Sequence, residues 1–121
     1  MHEVIGVVDD DASILRAVQR LLGSLGFTVK TFGSGEDLLA SACLATIHCL
    51  VLDVHLGGLS GFELQERLVA SGSRIPVLFI TARDDAPTRE RARLAGAIDY
   101  LRKPFDDELL LAAVHKAIRR G

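Results

Sequence analysis

The sequence predicts an α/β domain built on a doubly wound parallel sheet, and three observations carry this. Short apolar runs rich in β-branched residues alternate with longer stretches of helical period. Five such pairs fill the 121 residues. Each apolar run is flanked by Gly, Pro, Asp or Ser, the residues that end strands. The length suits one domain over residues 1–121 with one core.

The first strand is expected over Val4–Val8 and the second over Thr28–Phe32. The third is expected over residues 47–52, the fourth over Val77–Thr81 and the fifth over residues 98–101. The first, third and fourth are apolar nearly throughout, as strands covered on both faces must be. The second alternates polar with apolar, Thr28-Val29-Lys30-Thr31-Phe32, and reads as an edge.

Between them, Ile14, Leu15, Val18, Leu21, Leu22 and Leu25 recur at three- and four-residue intervals and predict the first amphipathic helix. Ser34, three residues before Asp37, resembles a cap ahead of a second helix carrying Leu38, Leu39 and Cys43. Gly61 to Ala70 makes the third. The fourth follows Asp85-Ala86-Pro87, runs from Thr88 to Ala95 and has the fewest large apolar residues, so it is expected to be the least firmly packed. Leu109, Leu110, Ala113, Val114, Ala117 and Ile118 mark the fifth. Right-handed crossovers then give the strand order 2-1-3-4-5, with a site at the carboxyl ends of the strands.

Composition removes several function classes. Fourteen Lys and Arg against sixteen Asp and Glu give a formal charge of -2, so no basic excess supports direct nucleic-acid binding by this chain. Cys43 and Cys49 lack CxxC spacing and sit in apolar company, which reads as two buried thiols in a reducing compartment and not as a zinc cage. The start, Met1-His2-Glu3-Val4-Ile5, lacks the features of a signal peptide, and no apolar run has the length of a membrane span. A cytoplasmic location is expected.

The strand ends carry the chemistry. Strand one delivers Asp9, Asp10 and Asp11, strand three Asp53, strand four Thr81 and strand five Lys103-Pro104. Taken singly each has a bland reading: Asp10 or Asp11 as a helix cap, Asp53 as a loop acid, Thr81 as a strand end, Lys103 as a solvated lysine before a turn proline. Together they suit one reaction. Crowded carboxylates repel, and a hard divalent cation with oxygen ligands relieves them. Phosphoryl transfer fits: Asp53 as the nucleophile, Mg²⁺ or Mn²⁺ held by Asp10 and Asp53 with Asp9 supporting through water, and Lys103 and Thr81 contacting phosphoryl oxygens.

Five motifs then carry a resemblance. They are Val7-Val8-Asp9-Asp10-Asp11, Leu50-Val51-Leu52-Asp53, Leu59-Ser60-Gly61-Phe62-Glu63-Leu64, Ile80-Thr81-Ala82, and the run from Ala95 through Lys103-Pro104-Phe105. With them the chain resembles, over nearly its whole length, the receiver domains of bacterial two-component response regulators, particularly the FixJ-like group. The resemblance implies that Asp53 is phosphorylated from a histidine kinase or a phosphotransfer protein, and that the chain assists its own phosphorylation and dephosphorylation without being a metabolic enzyme. It implies that Asp9 and Asp10 serve Mg²⁺, that the backbone carbonyl of His55 is a further ligand, and that the Lys103-Pro104 peptide is cis. It also implies that Thr81 and Tyr100 form a switch pair that remodels the face of helix four, strand five and helix five, through which two copies could pair.

Two departures stand out. The family usually has Met-Pro where this chain has Leu56-Gly57-Gly58, which predicts a looser site loop. His55 and Arg83 occupy flanking positions that, in the family, influence how long the phosphoryl group survives. The main rival, a haloacid-dehalogenase-type phosphatase, would want a second acid where His55 stands, and a flavodoxin-like carrier would not end strand one in three acids. A receiver-like module that is never phosphorylated would not need the full set Asp9, Asp10, Asp53, Thr81 and Lys103. No output domain follows the fifth helix, so the chain is expected to act alone or as part of a longer regulator.

Overall fold

Five parallel strands pair in the order β2-β1-β3-β4-β5, as the alternation of apolar runs predicts. The computed structural model describes residues 3–120. In chain order the elements are β1 (Val4–Val8), α1 (Ala12–Ser24), β2 (Thr28–Phe32), α2 (Gly35–Leu39), a 3-10 turn (Leu44–Thr46), β3 (Cys49–Asp53), α3 (Gly61–Ala70), β4 (Val77–Thr81), α4 (Ala86–Leu94), β5 (Asp99–Arg102) and α5 (Asp107–Arg120). The registers Val8↔Leu52 and Asp53↔Ile80 bring the carboxyl ends of β1, β3 and β4 level, which is what gathers their terminal side chains.

Alternating side chains send each central strand to both faces of the sheet. Ile5, Val7, Cys49, Val51, Leu78 and Ile80 pack with Val18 and Leu22 of α1 and Leu110, Val114 and Ala117 of α5. Val8, Leu50, Leu52, Val77 and Phe79 pack on the other side with Leu38 of α2, Phe62, Leu64 and Leu68 of α3, and Ala92 of α4. Phe62 and Phe79 lie in this second layer as core, with ring centroids 4.8 Å apart, and Phe105 packs against the first layer.

The caps follow the sequence. Ser34 accepts from Asp37 N at 3.0 Å, and Ser60 with Glu63 completes a reciprocal capping box on α3. Asp85 accepts from Thr88 N at 2.9 Å, so α4 starts at Ala86, two residues before the predicted Thr88, with Pro87 in its first turn. As expected, α4 is sparsely packed: Ala92 is its one buried residue and Leu94 is 71% exposed.

Four expectations are corrected. The second helix stops at Leu39, and Cys43 instead caps the 3-10 turn, where Thr46 Oγ1 donates to Cys43 O at 2.6 Å. That turn takes Ile47 N as a donor to Leu44 O, so β3 begins at Cys49 and not at residue 47. Cys43 is therefore half-buried, while Cys49 is fully buried and its thiol is pushed up to about 12 by burial. The fifth strand lies one residue later than predicted. Arg119 and Arg120 belong to α5; Gly121, like Met1 and His2, lies outside the described residues.

Candidate functional site

At the end of β1 the chain turns into α1 through three consecutive acids with three different fates. Asp9 is fully buried, and its Oδ1 accepts from Asp11 N at 2.9 Å. Asp10 is exposed at the rim. Asp11 turns away to cap α1, accepting from Ser13 N at 2.9 Å and Ser13 Oγ at 2.6 Å, and these bonds hold its carboxyl below the usual range. The bland capping reading is right for Asp11, and its neighbours are left for the site.

Asp53 closes β3 with 4% of its surface exposed. Its Oδ1 accepts from His55 N at 3.3 Å. Lys103 reaches in from the end of β5, with Nζ 2.7 Å from Asp9 Oδ2 and 3.4 Å from Asp53 Oδ2. The preceding backbone is tied to β4, Lys103 N donating to Thr81 O at 2.7 Å, and the Lys103-Pro104 peptide is cis. One carboxylate oxygen from each of Asp9, Asp10 and Asp53 lies within 4.8 Å of the others.

The charges explain the titration. Burial, then the nearby Asp9 charge, pushes the Asp53 carboxyl up to about 6, against the lowering pull of Lys103. Burial alone would lower the Lys103 ammonium, but the Asp9 hydrogen bond and the charges of Asp53 and Asp9 outweigh it and raise it. A lone ammonium thus faces more acid than it neutralises. Three hard oxygen donors at this spacing fit a divalent cation of the Mg²⁺ type.

The floor of the site depends on close backbone approach. Gly61 N donates to Val54 O at 2.9 Å, and a Cβ on Gly61 would stand 2.3 Å from Asp53 O. Gly61→Ala should therefore displace either the end of β3 or the start of α3, costing about 2–3 kcal/mol. A urea midpoint equal to that of the unaltered chain would contradict this. The Leu56-Gly57-Gly58 loop is pinned at both sides by buried Leu56 and Leu59, with Gly58 at φ +79 facing Glu36 and Leu59 N donating to Glu36 Oε2 at 3.4 Å. The looser loop expected from the missing proline is thus anchored by side chains.

The model of the response regulator receiver domain matches residues 5–115. The chain belongs to that family. Nodulation protein W of Bradyrhizobium diazoefficiens is 44% identical over 117 residues, 97% of this receiver and 52% of that protein. The transcriptional regulatory protein FixJ of the same organism is 39% identical over 97% of the receiver and 57% of its own length. Among solved structures, the response regulator StyR superimposes with a TM-score of 0.91 at 42% identity, over 99% of the receiver and 61% of that chain. A receiver protein from Burkholderia phymatum matches at 0.83 and 45% identity, over 97% and 95%. The chain spans about half the length of the first curated relatives it matches, 52%, 54% and 51%.

Of the predicted residues, the receiver brings together Asp9, Asp10, Asp53 and Lys103. Thr81 and Tyr100 make contacts of their own. The Thr81 hydroxyl is fully buried and occupied with its own loop, accepting from Arg83 N at 3.0 Å and donating to Arg83 O at 3.2 Å. Tyr100 lies in β5 beside α4, its ring under the Arg89 guanidinium. The His55 side chain is exposed, and among the described residues no helix is long and apolar enough to cross a membrane. Sequence reasoning missed Asp84 and Arg89, which form an ion pair at 2.6 Å beside that ring. Arg89 lies in a charged run in which Arg93 pairs with Glu90 and Arg91 with Glu66.

Proposed function

We propose that residues 1–121 act as one receiver domain in which Asp53 accepts a phosphoryl group from the phosphohistidine of a histidine kinase or a phosphotransfer protein. The observation that carries this is the Asp53 carboxylate, nearly closed off from water and set between Lys103 Nζ at 3.4 Å and the oxygens of Asp9 and Asp10. An Asp53 oxygen attacks phosphorus, the phosphorus–nitrogen bond breaks, and the imidazole leaves. Asp10, Asp53 and the His55 carbonyl would hold Mg²⁺ or Mn²⁺, with Asp9 acting through water; such an ion supplies neutralisation of the phosphoryl oxygens.

The other roles belong to the chain. Lys103 places a point charge against a phosphoryl oxygen, and the Thr81 hydroxyl donates to another once it leaves Arg83. Asp53 then carries about one further negative charge or more, and that charge is the signal. Thr81 and Tyr100 serve as the switch pair, and the α4–β5–α5 face is where a second copy or another partner reads the state. The chain is a phosphoacceptor that assists its own loading and unloading, not a metabolic enzyme, and it works in the cytoplasm. Its net charge of -2 supports contact with proteins over direct contact with nucleic acid.

The test is intact mass after incubation with acetyl phosphate, with and without Mg²⁺, on this chain and on Asp53→Asn. One Mg²⁺-dependent phosphoryl increment, absent from the variant, is expected. No increment in a chain shown separately to bind Mg²⁺ overturns the reading. Decay of the same increment, compared with His55→Ala and Arg83→Ala, reads the influence of these two exposed side chains on phosphoryl lifetime; unchanged decay removes them from it.

A further inference from the structure

Asp84, Arg89 and Tyr100 form a cluster outside the acidic site, spanning the β4–α4 loop, α4 and β5. Arg89 Nη2 donates to Asp84 Oδ2 at 2.6 Å, and the Asp84 side chain is 15% exposed. The same guanidinium stands 5.4 Å from the centroid of the Tyr100 ring, a cation–π distance. The other Asp84 oxygen, Oδ1, and the Tyr100 hydroxyl oxygen are both shielded from water without a hydrogen-bond partner. Among the described residues these are the two buried side-chain atoms left so.

A buried polar atom without a partner asks for a physical reason. The two orphans belong to neighbouring groups: burial raises the Tyr100 phenol, and the charge of the nearby Asp84 carboxylate raises it further. The residue before Asp84 is Arg83, whose N–H and carbonyl are both held by Thr81 Oγ1 at 3.0 and 3.2 Å. If the Thr81 hydroxyl turns its hydrogen to a phosphoryl oxygen on Asp53, the bond it donates to Arg83 O breaks and the loop carrying Asp84 is loosened. Arg89 and Tyr100 also line a groove of about 390 Å³ between α4 and β5, with Ala92, Arg93, Ala97 and Asp99.

We propose that Asp84 and Arg89 are positioning residues for Tyr100: their ion pair is a latch that holds the ring against the β4–α4 loop, and Thr81 works the latch through the backbone of Arg83. This goes beyond the switch pair proposed above and rests on that reading for its link to Asp53. Arg89 supplies two contacts at once, a donor for Asp84 and a planar cover for the ring, and lysine would not reproduce the second. Because α4 buries little else than Ala92, this cluster holds the start of the helix to β5.

Tyr100 is the chain's single tyrosine and there is no tryptophan, so tyrosine emission reports on this ring alone. The experiment is acrylamide quenching of the full chain without metal or phosphodonor, on Asp84→Ala, Arg89→Ala and Arg91→Ala. Arg91 is the control, since its guanidinium lies over Phe62 at 4.6 Å and pairs with Glu66. The first two variants should raise the quenching constant about twofold by shifting the ring outward, and Arg91→Ala should leave it unchanged. Melting curves confirm that all three fold. A wild-type constant in Asp84→Ala and Arg89→Ala overturns the latch.

Repeating the series with acetyl phosphate and Mg²⁺ tests the link. The constant should change in the unaltered chain and stay fixed in Asp84→Ala although its intact mass shows the phosphoryl increment. An Asp84→Ala ring that responds like the unaltered one overturns the Thr81 connection. Absence of any increment in the unaltered chain overturns the Asp53 reading instead, while the first series still judges the latch.

Discussion

Replacing Asp53 with Asn is expected to abolish the phosphoryl increment and, at pH 8 without divalent cation, to raise the melting temperature. The Asp53 carboxyl titrates at about 6 in the folded chain against an ordinary 3.8, chiefly because it is buried and secondly because Asp9 is charged beside it. Between these values the folded state keeps a proton that the unfolded state has released, so stability falls as pH rises through that window. Above pH 6 the full cost remains, about 2 kcal/mol after allowing for screening. Asn carries no charge, so the variant should gain roughly 6 °C at pH 8 and progressively less toward pH 4. Thermal melts across that range check it; a variant no more stable than its parent at pH 8 would sink the account.

Lys103→Met should have the opposite sign. Lys103 is the cation that meets Asp9 at 2.7 Å, and Asp9 is fully buried. Its folded-state titration is raised, so the stability it contributes is fully present below the unfolded value of 10.5 and persists at pH 8. Removing it leaves two buried carboxylates facing each other, at a cost of about 3 kcal/mol. The loss should shrink on acidification, as Asp53 takes up a proton. Millimolar Mg²⁺ should restore more stability to this variant than it adds to the unaltered chain, because the ion binds only the folded arrangement and replaces the missing charge. Equal Mg²⁺ gains in the two proteins would show that the ammonium and the metal do not share the same carboxylates.

Both effects come from residues legible in the sequence, and the reason is topological. A parallel sheet places the last residue of each apolar run at one edge, so Asp9, Asp53, Thr81 and Lys103 can be gathered by counting strands. The same counting gives α3, whose cap Ser60 and whose Glu63 lie at fixed spacing. It does worse where a local bond competes. Cys43 was expected on a helix that ends four residues earlier, because the hydroxyl of Thr46 and the amide of Ile47 bond backward into a 3-10 turn. The Thr81 hydroxyl, expected to contact a phosphoryl oxygen, bonds the backbone of Arg83 here, since a buried hydroxyl takes the nearest backbone partners. Asp84 and Arg89 escaped because nothing in the charged run tells that Arg89 reaches back to Asp84 and covers the Tyr100 ring.

The burial of Cys49 makes the chain its own chemical stopwatch. Cys49 lies in β3, between β1 and β4, and a thiol pushed up to about 12 is almost never the reactive thiolate while the sheet is closed. Cys43, half-buried beside the 3-10 turn, is the natural place to attach a reporter group. Alkylation of Cys49 then advances only when the centre of the sheet opens, so its rate, followed as a second mass increment, counts those openings in the intact molecule.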